Sequence, residues 1–214
     1  MTTFQILSVN LGRPEYIEGH KALTGICKRP VDGPVEVGPY GIASDAIMDL
    51  KNHGGRDQAV YMYGVPDYDF ITATTGKEMA PGLFGENLTV AGLESQQILI
   101  GDRFEAGDVL LEVTSPRIPC STFAARMGDP QWVKAFFAIN RPGVYVRVLK
   151  PGAIAAGMTM RHIPFAGARI PLIELMFDYK KPSADRMRHL LQAPIHRDLA
   201  TRYRAALAQG DLLG

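Results

Sequence analysis

Residues Val109 to Cys120 read "VLLEVTSPRIPC", an apolar run that ends in two prolines, with an arginine between them and a cysteine behind. Val109 to Val113 predicts a buried strand, because a short, mostly apolar run bounded by turn signals fits a strand covered on both faces. Ser115-Pro116 and Ile118-Pro119 predict a stiff exit from it. Each proline fixes its own φ and pushes the residue before it into extended geometry. A stiff exit can aim a side chain. Arg117, three residues before Cys120, would raise the thiolate fraction of that cysteine wherever the two meet in space. Read alone, Cys120 is more simply a small buried hydrophobe, as most free cysteines are.

Outward from this stretch, the first two-thirds of the chain repeats the same pattern of short strands cut by Gly and Pro. "FQILSVNL" (Phe4 to Leu11), "VEV" (Val35 to Val37), "AVYMY" (Ala59 to Tyr63), "NLTV" (Asn87 to Val90), "QILI" (Gln97 to Ile100), "VYVRVLK" (Val144 to Lys150) and "MTMRHI" (Met158 to Ile163) are the clearest. Strands this short and this regularly interrupted predict a mainly β, barrel-like or sandwich architecture. Two helices interrupt it. One runs from about Pro66 to Gly76, a C′ glycine. The other starts at "DPQWVKAFF", with Asp129 as N-cap and Pro130 as N1. Its Trp132, Val133, Phe136 and Phe137 share one face and should pack on the barrel.

After about Pro171 the spacing becomes helical. Ser183 reads as an N-cap, followed by Met187, Leu190 and Leu191 on one face, and Leu199, Tyr203 and Leu207 recur every fourth residue. This predicts a barrel domain over residues 1–170 and a small three-helix appendage over 171–214, a division that 214 residues accommodate.

A net charge of +1 excludes a protein that is basic overall, so nucleic-acid or membrane-surface attraction is not expected. The stretch from Lys180 onward carries seven Lys/Arg against three Asp. It reads as solvated helix faces before it reads as a docking surface. Two cysteines, Cys27 and Cys120, make no disulfide framework. With no apolar leader and no run long enough to cross a bilayer, a reducing cytoplasm is the default location. A homodimer is compatible with the sequence and is not specified by it.

The second stretch with chemical content is "KNHGGRDQAV", Lys51 to Val60. Gly54 and Gly55 allow backbone shapes closed to other residues, and consecutive amides in such a turn can cradle an anion. Lys51, His53 and Arg56 would add positive charge, although a Gly-Gly turn needs no ligand to exist. In "FGENLTVAGL", Asn87 sits where a turn enters a strand and can aim into a cleft. "IGDRFEAGDVL" holds two Gly-Asp hairpin signals. No phosphate loop, dinucleotide fingerprint or paired-cysteine motif is present, and no His has zinc-ligand spacing. A Cys120–His53 nucleophilic pair stays open, because such partners meet in space rather than in order.

Taken together, these stretches resemble the MOSC domain, the C-terminal domain type of molybdenum-cofactor sulfurases, and within it the stand-alone bacterial YiiM-type branch. The resemblance rests on an ordered set: "HGG-x-D-x-A", "FGENLTVxGL", "IGDRF", "SPRxPC" and "RPGxYxRVL" between His53 and Leu149, with a weaker match at "ILSVNLGRP". It implies a β-barrel-like fold with a cleft for a molybdopterin-type molybdenum cofactor. It also implies that Cys120 carries sulfur or ligates molybdenum, and that Lys51, His53, Gly54, Gly55, Arg56, Asn87 and Arg117 meet the cofactor. The implied activity is reduction of N-hydroxylated bases or related small molecules with electrons from a separate flavin or iron–sulfur reductase. The alternative is a sulfur carrier holding a persulfide on Cys120. Pyridoxal phosphate is not expected, because Lys51 is the lone lysine placed near the site. The region before His53 departs from the usual pattern: Asp45 and Asp49 are kept, while Ser44, Ile47 and Met48 replace Gly, Gln and Ala, and Arg56 stands where Pro is common.

Overall fold

The computed structural model describes residues 2–178 and 182–211. In chain order the strands are β1 (Thr3–Leu11), β2 (Arg29–Pro30), β3 (Val35–Gly38), β4 (Gly41–Ile42), β5 (Val60–Gly64) and β6 (Leu88–Ala91). They continue with β7 (Arg103–Ala106), β8 (Val109–Pro116), β9 (Val144–Lys150), β10 (Gly152–Ile154) and β11 (Thr159–Ile163). The helices are α1 (Val65–Thr75), α2 (Ser121–Met127), α3 (Trp132–Ile139), α4 (Leu172–Asp178), α5 (Ala184–Leu190) and α6 (Arg197–Asp211).

Seven strands close a barrel in the order β1-β6-β5-β9-β8-β7-β11, with β11 returning to pair with β1. The β5–β6 pair runs parallel and its neighbours in the barrel antiparallel. That follows from connectivity: α1 is the crossover between those two strands, and parallel neighbours need one. The β7–β8 hairpin turns on Gly107-Asp108, as its Gly-Asp signal predicts, with Ala106 opposite Val109. Strands β3, β4 and β10 form a small separate sheet.

The mainly β reading therefore holds, and the packing shows why. On β5, Val60 and Met62 join the barrel core while Tyr61 and Tyr63 face out into an aromatic layer. That layer includes Phe84, Phe123, Trp132 and Phe136 and is roofed by α1, α2 and α3. A strand buried on both faces loses the polar alternation of a half-exposed one. The expected core role of Trp132 and Phe136 is met. At the other side, Leu172, Leu175, Leu190, Ile195, Leu199 and Tyr203 of the C-terminal segment belong to the same buried cluster as the barrel interior. Ser183 caps α5, its Oγ accepting from Arg186 N at 3.2 Å. Among the described residues no helix is long and apolar enough to cross a membrane.

Four local expectations need correction. "QILI" is not a strand: Leu99 N donates to Asp102 Oδ2, and the segment makes a single isolated bridge, Leu99 opposite Pro171, through Ile100 N to Ile170 O and Leu172 N to Ile98 O. The pairing goes no further because the partner segment enters α4 at Leu172. Strand β8 runs on to Pro116, with a register shift between Val113 and Ser115. Helix α3 begins at Trp132 rather than Pro130, because Asp129 Oδ1 accepts from Gln131 N in a preceding turn. Helix α2, which starts directly behind Cys120, is an addition.

Candidate functional site

The exit from β8 does aim a side chain. After Pro116 the chain carries Arg117 inward, turns through Ile118-Pro119, and places Cys120 as the N-cap residue of α2. Arg117 is buried. Its Nη1 donates to Phe84 O at 2.7 Å, and its guanidinium carbon lies 5.2 Å and 4.9 Å from the Tyr61 and Phe123 ring centres. Its Nε meets no hydrogen-bond partner, and no carboxylate pairs with it among the described residues. A buried cation without a counter-charge is costly unless something anionic approaches it.

Cys120 is half-buried and faces two groups that favour its anion. His53 Nε2 lies 3.9 Å from Sγ. Burial raises the thiol pKa, but the His53 contact, the Arg117 charge and the Phe123 backbone amide outweigh it, and the pKa falls to about 6. The sulfur is therefore a thiolate at neutral pH.

His53 rides on a loop that needs its glycines. Gly54 and Gly55 have φ of +77° and +76°, a left-handed region open to glycine, and a Cβ at Gly54 would press on Ile47 at 3.1 Å. Behind them, Asp57 anchors the loop. Its carboxylate accepts from Arg197 N at 2.7 Å and Arg197 Nε at 2.9 Å, and it is ion-paired with Arg147, whose Nε stands 3.2 Å away without a hydrogen bond. Its backbone oxygen accepts from Thr114 Oγ1 on β8. The loop is thus tied both to the strand that leads to Cys120 and to the first turn of α6.

Two cavities meet at Cys120 and His53. An inner one of about 390 Å³ is lined by Cys120, His53, Gly54, Asn87 and Arg117. An outer one of about 830 Å³ also touches Cys120, His53 and Gly54, and takes in Lys51, Gly55 and Arg56. The residues singled out from the sequence are all near the cysteine, but they are divided between two chambers. Asn87 does more than cap a turn: its Oδ1 accepts from Tyr61 N at 3.1 Å and its Nδ2 donates to Asp45 Oδ2 at 2.9 Å.

The inner wall also holds groups that sequence reading missed. Lys28 is ion-paired to Asp45, both nearly fully buried, and burial pulls the lysine pKa down although Asp45 opposes this. Lys28 is thus a second lysine at the site, in the inner chamber, where Lys51 is in the outer. Tyr145, stacked on Tyr61 at 4.8 Å, completes the wall. The Lys28 loop is held by backbone stacking. A Cβ on Gly25 would lie 1.9 Å from Ala46 O, and one on Gly12 would lie 2.2 Å from Gly25 O. Gly25 and the retained Asp45 were the signals available; nothing in "GICK" marks Lys28 as buried.

A model of the MOSC domain matches residues 49–161 of this chain. The chain belongs to the MOSC domain family. The protein YflK of Bacillus subtilis (strain 168), described as uncharacterized, is 36% identical over 159 residues, covering 73% of this chain and 72% of YflK. A Gibberella moniliformis protein named "Reductase" is 34% identical over 160 residues, which span 72% of this chain but 28% of the fungal one. The crystal structure of YiiM from Geobacillus stearothermophilus superposes with a TM-score of 0.78 at 28% identity, covering 95% of this chain and 99% of YiiM. These relatives fit a YiiM-type MOSC protein. The MOSC family is associated with the molybdenum cofactor.

Among the described residues no set of three or more His, Cys, Asp or Glu side chains could hold a metal ion. A metal at Cys120 would therefore have to bring most of its ligands with it, as an organic cofactor does. The single soft thiolate, the unpaired Arg117 Nε and a cavity within the usual size range of small-molecule sites suit an anionic, sulfur-ligated group.

Proposed function

We propose that this MOSC protein binds a molybdopterin-type molybdenum cofactor in the inner chamber and reduces N-hydroxylated bases or related compounds. The observation that supports this most is Cys120: a thiolate at neutral pH, beside a buried and unpaired arginine, facing a cavity of cofactor size. When bound, the cofactor supplies the redox chemistry that moves an electron pair. Cys120 Sγ is the protein's donor to the metal, held in place as the N-cap of α2. Arg117 balances the anionic charge of the group, and Asn87, fixed from both ends, gives the wall a rigid polar edge. Lys28, neutralised by its ion pair with Asp45, holds that carboxylate, and through it Asn87, in place on the wall. His53, whose Nε2 lies 3.9 Å from the sulfur, is the group placed to hand on one of the two protons consumed when the N–O bond breaks, N–H forms and water leaves, the second coming from solvent.

Electrons come from a separate flavin or iron–sulfur reductase. The support is that no dinucleotide fingerprint and no paired-cysteine motif occurs in this chain. A much longer fungal relative that is called a reductase contains a segment similar to it.

The low thiol pKa also favours a second reading, in which Cys120 carries a persulfide. One experiment separates the two. Wild type and Cys120→Ala are purified from a cofactor-producing host, and molybdenum, pterin and labile sulfur are measured alongside reduction of an N-hydroxylated base with a reductase supplied. Molybdenum in wild type, lost in the variant together with activity, supports the reductase. Full N-reductive activity in Cys120→Ala refutes it. Labile sulfur on Cys120 without turnover selects the carrier.

A further inference from the structure

The outer chamber is left unassigned by that reading, and three features mark it as a binding site in its own right. Its volume, about 830 Å³, would be left mostly empty by a bare base. Ser115 lines it and is only 7% exposed, yet its Oγ meets no hydrogen-bond partner. Buried hydroxyls are ordinarily paired, so an unpaired one beside a cavity marks where a ligand brings the partner. Beside Ser115 the wall is apolar, formed by Ile118, Pro119 and Leu199.

The chamber also has a charged rim. Lys51 and Arg56 stand exposed on the glycine loop, and neither pairs with a carboxylate among the described residues. Arg56 instead lies over the Tyr40 ring at 5.1 Å. Three acids share the wall: Asp49 is engaged by Asn52 and Asp57 by Arg197, and Asp198 sits in the first turn of α6, next to Arg197 in the chain. Cys120 and His53 form the partition with the inner chamber, so a ligand here has one end at the sulfur and the other at the cations.

We infer that the outer chamber is the substrate side, and that it takes an N-hydroxylated nucleoside monophosphate rather than a free base. The base lies on the apolar wall with a polar edge at Ser115, and the phosphate reaches Lys51 and Arg56. This rests on the reductase reading for the N-hydroxyl group; the binding of a nucleoside monophosphate does not.

The test uses adenosine 5′-monophosphate and adenosine as unreactive probes, titrated calorimetrically into the purified chain at low and high salt. The nucleotide should bind at least about tenfold tighter than the nucleoside at low salt, since its phosphate adds charge-assisted hydrogen bonds. That advantage should shrink at high salt, because both cations are exposed. It should vanish in Lys51→Ala/Arg56→Ala, whose sites lie on the surface. Ser115→Ala should weaken both probes alike. Equal affinity for the two probes overturns the inference, as does an advantage that survives the double variant. Neither measurement needs metal or turnover. Absence of nucleotide preference therefore leaves reduction of free N-hydroxylated bases standing, and nucleotide binding without N-reduction overturns the reductase reading alone.

Discussion

Replacing His53 by Ala should change the titration of a different residue, Cys120. The thiol moves from an ordinary value of 9.0 to about 6, against the push of burial. About three pKa units correspond to about 4 kcal/mol favouring the thiolate, and His53, Arg117 and the Phe123 amide supply it together. Without the imidazole, Arg117 and the amide remain, and the midpoint should rise by about one unit or more. At pH 7 the thiolate fraction would then fall from roughly nine-tenths to about one half or less. The assay is the rate of iodoacetamide alkylation as a function of pH. The midpoint is read rather than the plateau, because a more basic thiolate is also intrinsically more reactive. Cys27 does not confuse the reading: it is buried, and burial raises its pKa. Wild type should lose reactivity as pH falls through about 6. A midpoint that stays there in His53→Ala would show that the 3.9 Å contact has no electrostatic consequence, and Arg117 alone would have to account for the thiolate.

Three further outcomes are expected. Asp57→Asn should lower stability by about 2–3 kcal/mol, a fall in Tm of about 5–10 °C, because it strips the charge that offsets Arg147 and Arg197. The sign with pH is definite. The two arginines hold the Asp57 pKa below its ordinary 3.8 despite burial, so its stabilisation is complete above that value and fades as pH falls through the depressed one. The Tm gap between wild type and variant should therefore close in acid, and a gap independent of pH would refute the assignment. Lys28→Met should cost about 3 kcal/mol in urea denaturation, since Asp45 is left charged and buried, and an unchanged midpoint would mean the pair is solvated. In Gly64→Ala the new Cβ would sit 1.7 Å from Leu93 O; thermal melting should show a loss of about 3 kcal/mol or no folded protein, and a wild-type melt would contradict the packing at the β5–α1 junction.

The parts of this fold that could be read from sequence are those with local causes. Strands β5, β8 and β9 announced themselves as apolar runs between turn residues, and α1 by a proline at one end and Gly76 at the other. The stiff exit at "SPRIPC" was legible because proline geometry acts on its immediate neighbours. What could not be read depended on distant partners. "QILI" has strand composition, but Asp102 takes the amide that a ladder would need. Lys28 looks like any surface lysine until the backbone stacks Gly12 on Gly25 and Gly25 on Ala46, which brings Asp45 against it. The split of the candidate residues into two chambers turns on the faces of one loop, which no spacing records: Asn87 and Arg117 go to the inner side, Lys51, Gly55 and Arg56 to the outer. The resemblance supplied the association of Cys120 with a cleft, and the structure supplied the reason its sulfur is ionised.

The Asp57 anchor has a consequence for anyone who shortens or extends this protein. The backbone amide of Arg197 and its guanidinium both end on one carboxylate, in a loop 140 positions earlier that also holds His53. Cutting the chain before Arg197 would leave that carboxylate facing Arg147 alone, with its loop released from the final helix. Such a truncation would act at the cysteine as though it were a point substitution in the glycine loop. The last helix is thus better regarded as a distant part of the reactive centre's scaffold than as a tail that can be trimmed or tagged without consequence.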